Sequence, residues 1–217
     1  MNIVNKIRGL FFSTLILCSG AANATLIDFD EYVTSFTEFN FRNFENVIGD
    51  IDLRIEAAIF SNSSSVITNI TSGSSDDRRF GVLDNDGLGV TGYLDNDSNL
   101  NIDGNGSNDL LIFTFSEVVT FTGINFGNTD SNDDFEFGFV NGNVFERIIS
   151  DERIVNDSVK LSDISTTIFT GTTFAIGAVG GNDNFRVTSI TAVPEPSTLS
   201  IFALALVGFG LRLRRNK

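Results

Sequence analysis

The residues of this 217-residue chain best suited to chemistry are carboxylates and amides crowded between Asp84 and Asp109. Leu83-Asp84-Asn85-Asp86-Gly87 is followed eleven residues on by Leu94-Asp95-Asn96-Asp97-Ser98, and then by Asp103-Gly104-Asn105-Gly106. Hard oxygen ligands at alternate positions in glycine-containing loops are what calcium requires. The spacing is not that of an EF-hand: counting from Asp95, Leu100 stands where the sharp-turn glycine belongs and Gly106 where the bidentate glutamate belongs. Gly180-Gly181-Asn182-Asp183 holds only a fragment of a calcium-binding nonapeptide and does not recur. The competing reading is a region of Asx turns, because Asn and Asp side chains bond their own backbone. Calcium is the candidate cofactor, with Asp84, Asp86, Asp95, Asp97, Asp103 and Asp183 as candidate ligands.

Other chemistries are narrowed by what the chain lacks. It has no histidine and one cysteine, Cys18, which lies in the N-terminal segment. Serine–histidine and cysteine–histidine catalysis and histidine-ligated metals are therefore excluded. Polysaccharide hydrolysis needs only two carboxylates. With 28 acidic residues, however, no pair is singled out. The chain reads as a non-enzyme, with a secreted polysaccharide hydrolase using paired carboxylates as the alternative.

The two ends carry transport signals. Lys6 and Arg8 precede the mostly apolar Leu10–Leu17, and Ala22-Asn23-Ala24 puts small residues at the two positions a signal peptidase reads. Cleavage is expected after Ala24. Leu17 precedes Cys18 where a lipobox wants a small residue, which speaks against lipidation. At the other end, Val193-Pro194-Glu195-Pro196 should be stretched and exposed, since neither proline can donate a backbone hydrogen bond. Leu199 to Leu211 is uncharged, and Arg212, Arg214, Arg215 and Lys217 follow. As a helix that run rises only about 20 Å against a hydrocarbon core of about 30 Å, with a basic end that favours the cytoplasm.

Pro-Glu-Pro, a short apolar run and a basic end, in that order, closely resemble the PEP-CTERM sorting signal of Gram-negative bacteria. The resemblance implies that Pro194, Glu195 and Pro196 are the recognition motif and that an exosortase processes the tail. It further implies a precursor tethered in the inner membrane by the C-terminal helix, then a protein at the cell surface or in the extracellular or biofilm matrix. Signal peptidase and exosortase are thus the expected processing partners. The expected organisation is a signal peptide at 1–24, a body at 25–192 and a sorting tail at 193–217.

Of 14 basic residues, two lie in the signal segment and four follow the apolar tail, leaving eight between Asp28 and Glu195 against all 28 acidic residues, a net charge of −20 for that stretch. That charge repels nucleic acid and anionic lipid. Without cysteine, the body must be held by an ordinary core, for which 22 Phe and no Trp are available. Its dominant pattern is alternation. Ile51, Leu53, Ile55, Ala57 and Ile59 fall on one side of a strand, with Asp52, Arg54 and Glu56 on the other. Similar runs are Leu26–Val33, Ser35–Phe41, Val66–Thr71, Asp109–Phe115, Val118–Phe126, Phe135–Val140, Val144–Ile149, Ile164–Thr170, Thr173–Val179 and Phe185–Ala192, with an Asn-Gly turn at Asn141-Gly142. The predicted class is all-β, an antiparallel, jelly-roll-like β-sandwich flanked by a signal helix and a short C-terminal hydrophobic helix.

Gly87-Leu88-Gly89-Val90, Asn101-Ile102-Asp103 and Asp109–Phe115 together resemble a segment of PEP-CTERM surface proteins in which a GLGV turn precedes an acidic loop and an apolar strand. By analogy with jelly rolls that share a calcium between first and last strands, Asp28 and Asp30 join Asp183 as candidate ligands. Phe36, Phe39, Phe41 and Phe44 read as core residues, with a sugar platform as the second reading. Exopolysaccharide is the candidate ligand of the whole body.

Overall fold

A computed structural model describes residues 23–29, 38–39, 41–68, 78–83, 87–92, 100–105 and 107–195. The signal helix and the Leu199–Leu211 helix lie outside the described residues, as do Asp30, Phe36, Asp84, Asp86, Asp95, Asp97, Ala22 and Pro196. Among the described residues no helix is long and apolar enough to cross a membrane.

Among the described residues, fourteen strands follow in chain order: β1 (Thr25–Asp28), β2 (Glu38–Phe39), β3 (Phe41–Ile48), β4 (Ile51–Phe60), β5 (Ile67–Thr68), β6 (Arg78–Leu83), β7 (Gly87–Gly92), β8 (Ile102–Asp103), β9 (Asn108–Gly127), β10 (Asp134–Asn141), β11 (Val144–Arg153), β12 (Ser158–Lys160), β13 (Phe169–Gly177) and β14 (Asn184–Pro194). A single helical turn, α1 (Leu161–Ile164), stands between β12 and β13. The described residues are mostly antiparallel β-sheet with almost no helix, as the alternation predicts. The hydrogen-bonded path is continuous, β11-β10-β13-β9-β14-β7-β6-β2, so the strands join one sheet where a jelly roll would have two.

The 20-residue β9 is the spine of that sheet. Its first half pairs with β4, from Leu53↔Phe115 to Phe60↔Asn108, and with the end of β13. Its second half pairs with β14, from Arg186↔Gly127 to Pro194↔Val119, and with β12. The sequence suggests two strands here, Asp109–Phe115 and Val118–Phe126, because Ser116-Glu117 interrupts the apolar run. The structure instead keeps one strand and bulges it: Ser116, Glu117 and Val118 are exposed, while the β13 register jumps between Gly171↔Val119 and Thr173↔Thr114.

Three other expectations are corrected. Ile164–Thr170 is not a strand, since Ile164 closes α1 and β13 starts only at Phe169. β3 escapes the pattern because its alternation is broken by Asn46, at φ 56°, and by a register shift between Phe44 and Ile48. The GLGV segment is strand β7, not a turn. Gly89 is required there, because a Cβ would come 2.0 Å from the Leu100 carbonyl oxygen.

The β10–β11 hairpin forms where expected, but Asn141 pairs with Val144 and the loop is Gly142-Asn143. Gly142 takes φ +59° at the first loop position, as in a type II′ turn.

The core is phenylalanine. Phe121 lies 5.0 Å from Phe137 and 5.1 Å from Phe174 between ring centroids, and Phe126 bridges Phe135 at 5.1 Å and Phe185 at 5.4 Å. Such tilted and edge-on pairs add to the area they bury. On the opposite face of the sheet a smaller cluster gathers Ala58, Phe60, Ile67, Leu110, Ile112, Phe145 and Ala175.

Candidate functional site

The face of β4 turned away from the main core carries the first candidate site. Leu53 and Ile55 are fully buried, so the period of two sends Asp52, Arg54 and Glu56 to the other side. The registers Asn43↔Arg54, Arg54↔Thr114 and Thr173↔Thr114 set four polar residues abreast across β3, β4, β9 and β13. Beside this row, a groove of about 330 Å³ is lined by Asn43, Glu45, Asp52, Arg54, Thr114 and Ser116, among others.

Hydrogen bonds fix the groove floor. The Asp52 backbone N–H donates to Ser116 Oγ at 2.9 Å, and Asp52 Oδ1 accepts from the Asn46 N–H at 2.9 Å. Arg54 donates to Glu56 at 2.9 Å, which pushes its pKa above the usual guanidinium value, so it stays charged. Its guanidinium also lies 4.0 Å over the ring centroid of Phe41, which remains 49% exposed. Of the four early phenylalanines, Phe44 is core, as expected, whereas Phe41 lies at the surface beside the groove. An exposed ring next to an amide, hydroxyls, carboxylates and a forked donor can hold a polyhydroxylated ligand by stacking and paired hydrogen bonds. The sequence located Asp52 and Arg54 on the outward face but gave no sign that Asn43, Glu45, Thr114 and Ser116 join them.

A second constellation lies where the β9–β10 and β13–β14 loops meet. Asn132-Asp133-Asp134-Phe135 and Asn182-Asp183-Asn184-Phe185 bind each other reciprocally. The Asn184 N–H donates to Asp133 Oδ1 at 2.9 Å, and the Asp134 N–H donates to Asp183 Oδ1 at 3.2 Å. Asn132 Nδ2 donates to the Asn182 carbonyl at 3.1 Å, and Asn182 Nδ2 returns to the Asn132 carbonyl at 3.4 Å. Each aspartate's other oxygen closes its own loop, Asp133 Oδ2 on the Asp130 N–H at 2.5 Å and Asp183 Oδ2 on the Gly180 N–H at 2.7 Å. Asp133 is fully buried, and burial raises its pKa against the lowering effect of those bonds. Burial also raises Asp134, which the Asp151 charge pushes further. This doubled motif is a structural clasp, of which the sequence singled out only Gly180–Asp183, as a fragment of a calcium-binding nonapeptide.

The clasp bears on the calcium ligands. Both oxygens of Asp183 are engaged by backbone N–H groups. Asp28 pairs with Ser189 on β14, six residues from Asp183, or about 20 Å along an extended strand. The structure does not bring those two together. Asp103 faces Asn184 from β8 and accepts the Asn105 N–H at 2.8 Å. Among the described residues no group of three or more His, Cys, Asp or Glu could hold a metal ion.

Sequence reasoning also missed Glu136. Its side chain is buried on β10 with Oε2 3.8 Å from Arg147 Nη1, and burial raises its pKa. Arg147 in turn donates to Asn62 Oδ1 and to the Asn62 carbonyl, each at 2.7 Å, fastening the 61–65 loop.

Residues 192–215 match the family model of the PEP-CTERM protein-sorting motif. The chain therefore carries that sorting signal, which implies export and exosortase processing of a membrane-anchored precursor. No curated protein matches the chain. A solved structure, a family 32 CBM from C. perfringens NanJ in complex with galactose, aligns over 80% of this chain and 100% of its own at 14% identity. Its TM-score of 0.31 is too low to carry an argument.

Proposed function

We propose that the chain is a non-catalytic exported protein of the cell surface or extracellular matrix that binds exopolysaccharide through the β3–β4–β9 groove. In this reading the body is a sandwich whose two layers share β9, and the C-terminal apolar run tethers the precursor until the tail is removed. The carrying observation is the row Asn43, Arg54 and Thr114 beside the half-exposed ring of Phe41. The net charge of −20 between Asp28 and Glu195 favours a neutral or amino-sugar polymer over an anionic one.

The hydrolase reading is weaker on physical grounds. A glycosidase keeps one carboxyl protonated, usually by burial. Burial raises Asp133, Asp134 and Glu136, and none of them lines the groove. In the groove, Asp52 is already engaged by the Asn46 N–H.

Calorimetric titration of residues 25–194 with polysaccharide from the producing cell tests the proposal. Phe41→Ala and Arg54→Ala should each weaken binding about tenfold while the melting midpoint moves little, in line with removing one stacked or forked contact. Undiminished binding by both variants would refute the groove as the site. Sugar release by the wild type that a single carboxylate change abolishes would favour the hydrolase.

A further inference from the structure

Both processing regions of the precursor sit at one end of a single strand pair. β1 opens at Thr25, the residue after the expected signal-peptide cut, and Thr25 pairs with Ala192 of β14. Beyond Ala192 the chain does not leave the sheet. Val193 and Pro194 pair with Thr120 and Val119 of β9, and both are half-buried. The first proline of the sorting motif is thus the last residue of β14, and the boundary of the compact unit Ala24–Pro194 falls directly after it. The sequence predicts an extended, exposed Val193–Pro196, since proline lacks the donor of a ladder bond; the half-buried pairing of Val193 and Pro194 corrects this. A strand-terminal position tolerates that loss.

Enzymes that cut peptides take their substrates as extended segments, pairing backbone to backbone with a run of residues. Val193 and Pro194 cannot pair with a peptidase and with β9 through the same groups. Resting on the sorting reading, we propose that the body itself gates tail removal: the processing peptidase acts only on chains in which Val193–Pro194 have peeled from β9, and this pairing sets the processing rate. On the other edge, β1 holds β14 from Ser189 to Ala192 and limits how far peeling can run. The bond broken is a backbone amide whose acyl side passes to water or to an amine nucleophile, and the gate governs only access to it.

The test follows loss of the tail by pulse-chase in the producing cell, using the full-length chain. One variant inserts Gly-Ser-Gly-Ser between Ala192 and Val193, which lifts the motif off β9 and leaves every pairing up to Ala192 in place. The other is Val193→Gly, which weakens the pairing and keeps Pro194, Glu195 and Pro196. The insertion should speed tail loss about threefold or more, on the scale of one net backbone hydrogen bond, with Val193→Gly intermediate. Tail loss at the wild-type rate in both would overturn the gate while leaving sorting intact. The insertion stays informative even where Val193→Gly lowers the yield of folded protein. Retention of the tail in all three chains would overturn the sorting reading and the gate with it.

Discussion

Removing the Asp183 carboxylate tests whether the loop clasp holds the sheet end together. Asp183→Ala deletes two acceptors, leaving the Asp134 and Gly180 N–H groups without the partners they have at 3.2 and 2.7 Å. Asp183 is 6% exposed, so water replaces those bonds poorly. A hydrogen bond to a charged group contributes about 1.5–3 kcal/mol, offset in part by the cost of burying the charge, so a net loss of about 2–4 kcal/mol is expected. For a unit of about 170 residues this lowers the melting midpoint by about 4–15 °C. Asp133→Ala should behave alike, since it makes the mirror-image pair of bonds. Losing either aspartate frees both loops, so the double variant should cost about 1 kcal/mol or more less than the sum. Urea unfolding of the four proteins, in calcium and then in chelator, measures all of this. Because both Asp183 oxygens are already engaged, its loss should be equal in the two solutions. A change below about 0.5 kcal/mol for Asp183→Ala, or strict additivity in the double variant, would refute the clasp.

Three further outcomes are expected. Phe121→Ala, which removes the ring between Phe137 and Phe174, should cost about 3–5 kcal/mol in denaturant unfolding. Gly138→Ala should lower the yield of folded protein, because its Cβ would lie 2.0 Å from the Glu146 carbonyl oxygen of β11, which has no room to yield. Burial raises Asp133, Asp134 and Glu136 above 3.8, 3.8 and 4.5, so between unfolded and folded values the native state binds more protons than the unfolded chain. Their contribution to stability is therefore full below the ordinary carboxylate range and is lost as pH rises through the raised values. The melting midpoint should climb as pH falls through the raised values toward the ordinary carboxylate range, and Glu136→Gln should flatten that slope; a midpoint that falls over the same approach would contradict the burial argument.

The class of fold was legible because alternation is a property of the chain alone. β4 shows this best: its inward residues Leu53 and Ile55 and its outward Asp52 and Arg54 follow directly from the period of two. What stayed hidden depends on partners. Nothing in Ser116-Glu117 says whether the chain breaks into two strands or bulges within one, since β13 and β14 decide it by pairing on either side. The groove was half legible for the same reason, as Thr114 and Asn43 meet Arg54 only through the registers of β9 and β3. Asn182-Asp183 read as a fragment of a calcium loop and Asn132-Asp133 was not singled out, because their bonds are to each other, 50 residues apart. The sorting motif was legible as a message, while the seat of Pro194 against Val119 was not.

The central claim, an exported β body that holds exopolysaccharide on the face of β3, β4 and β9, is tested most directly by amide hydrogen exchange of residues 25–194 with and without the producing cell's polysaccharide. Added protection should appear around Asn43, Glu45, Arg54 and Ser116 and leave the clasp loops at 128–133 and 180–183 unchanged. Protection elsewhere, or none at saturating polysaccharide, would contradict it.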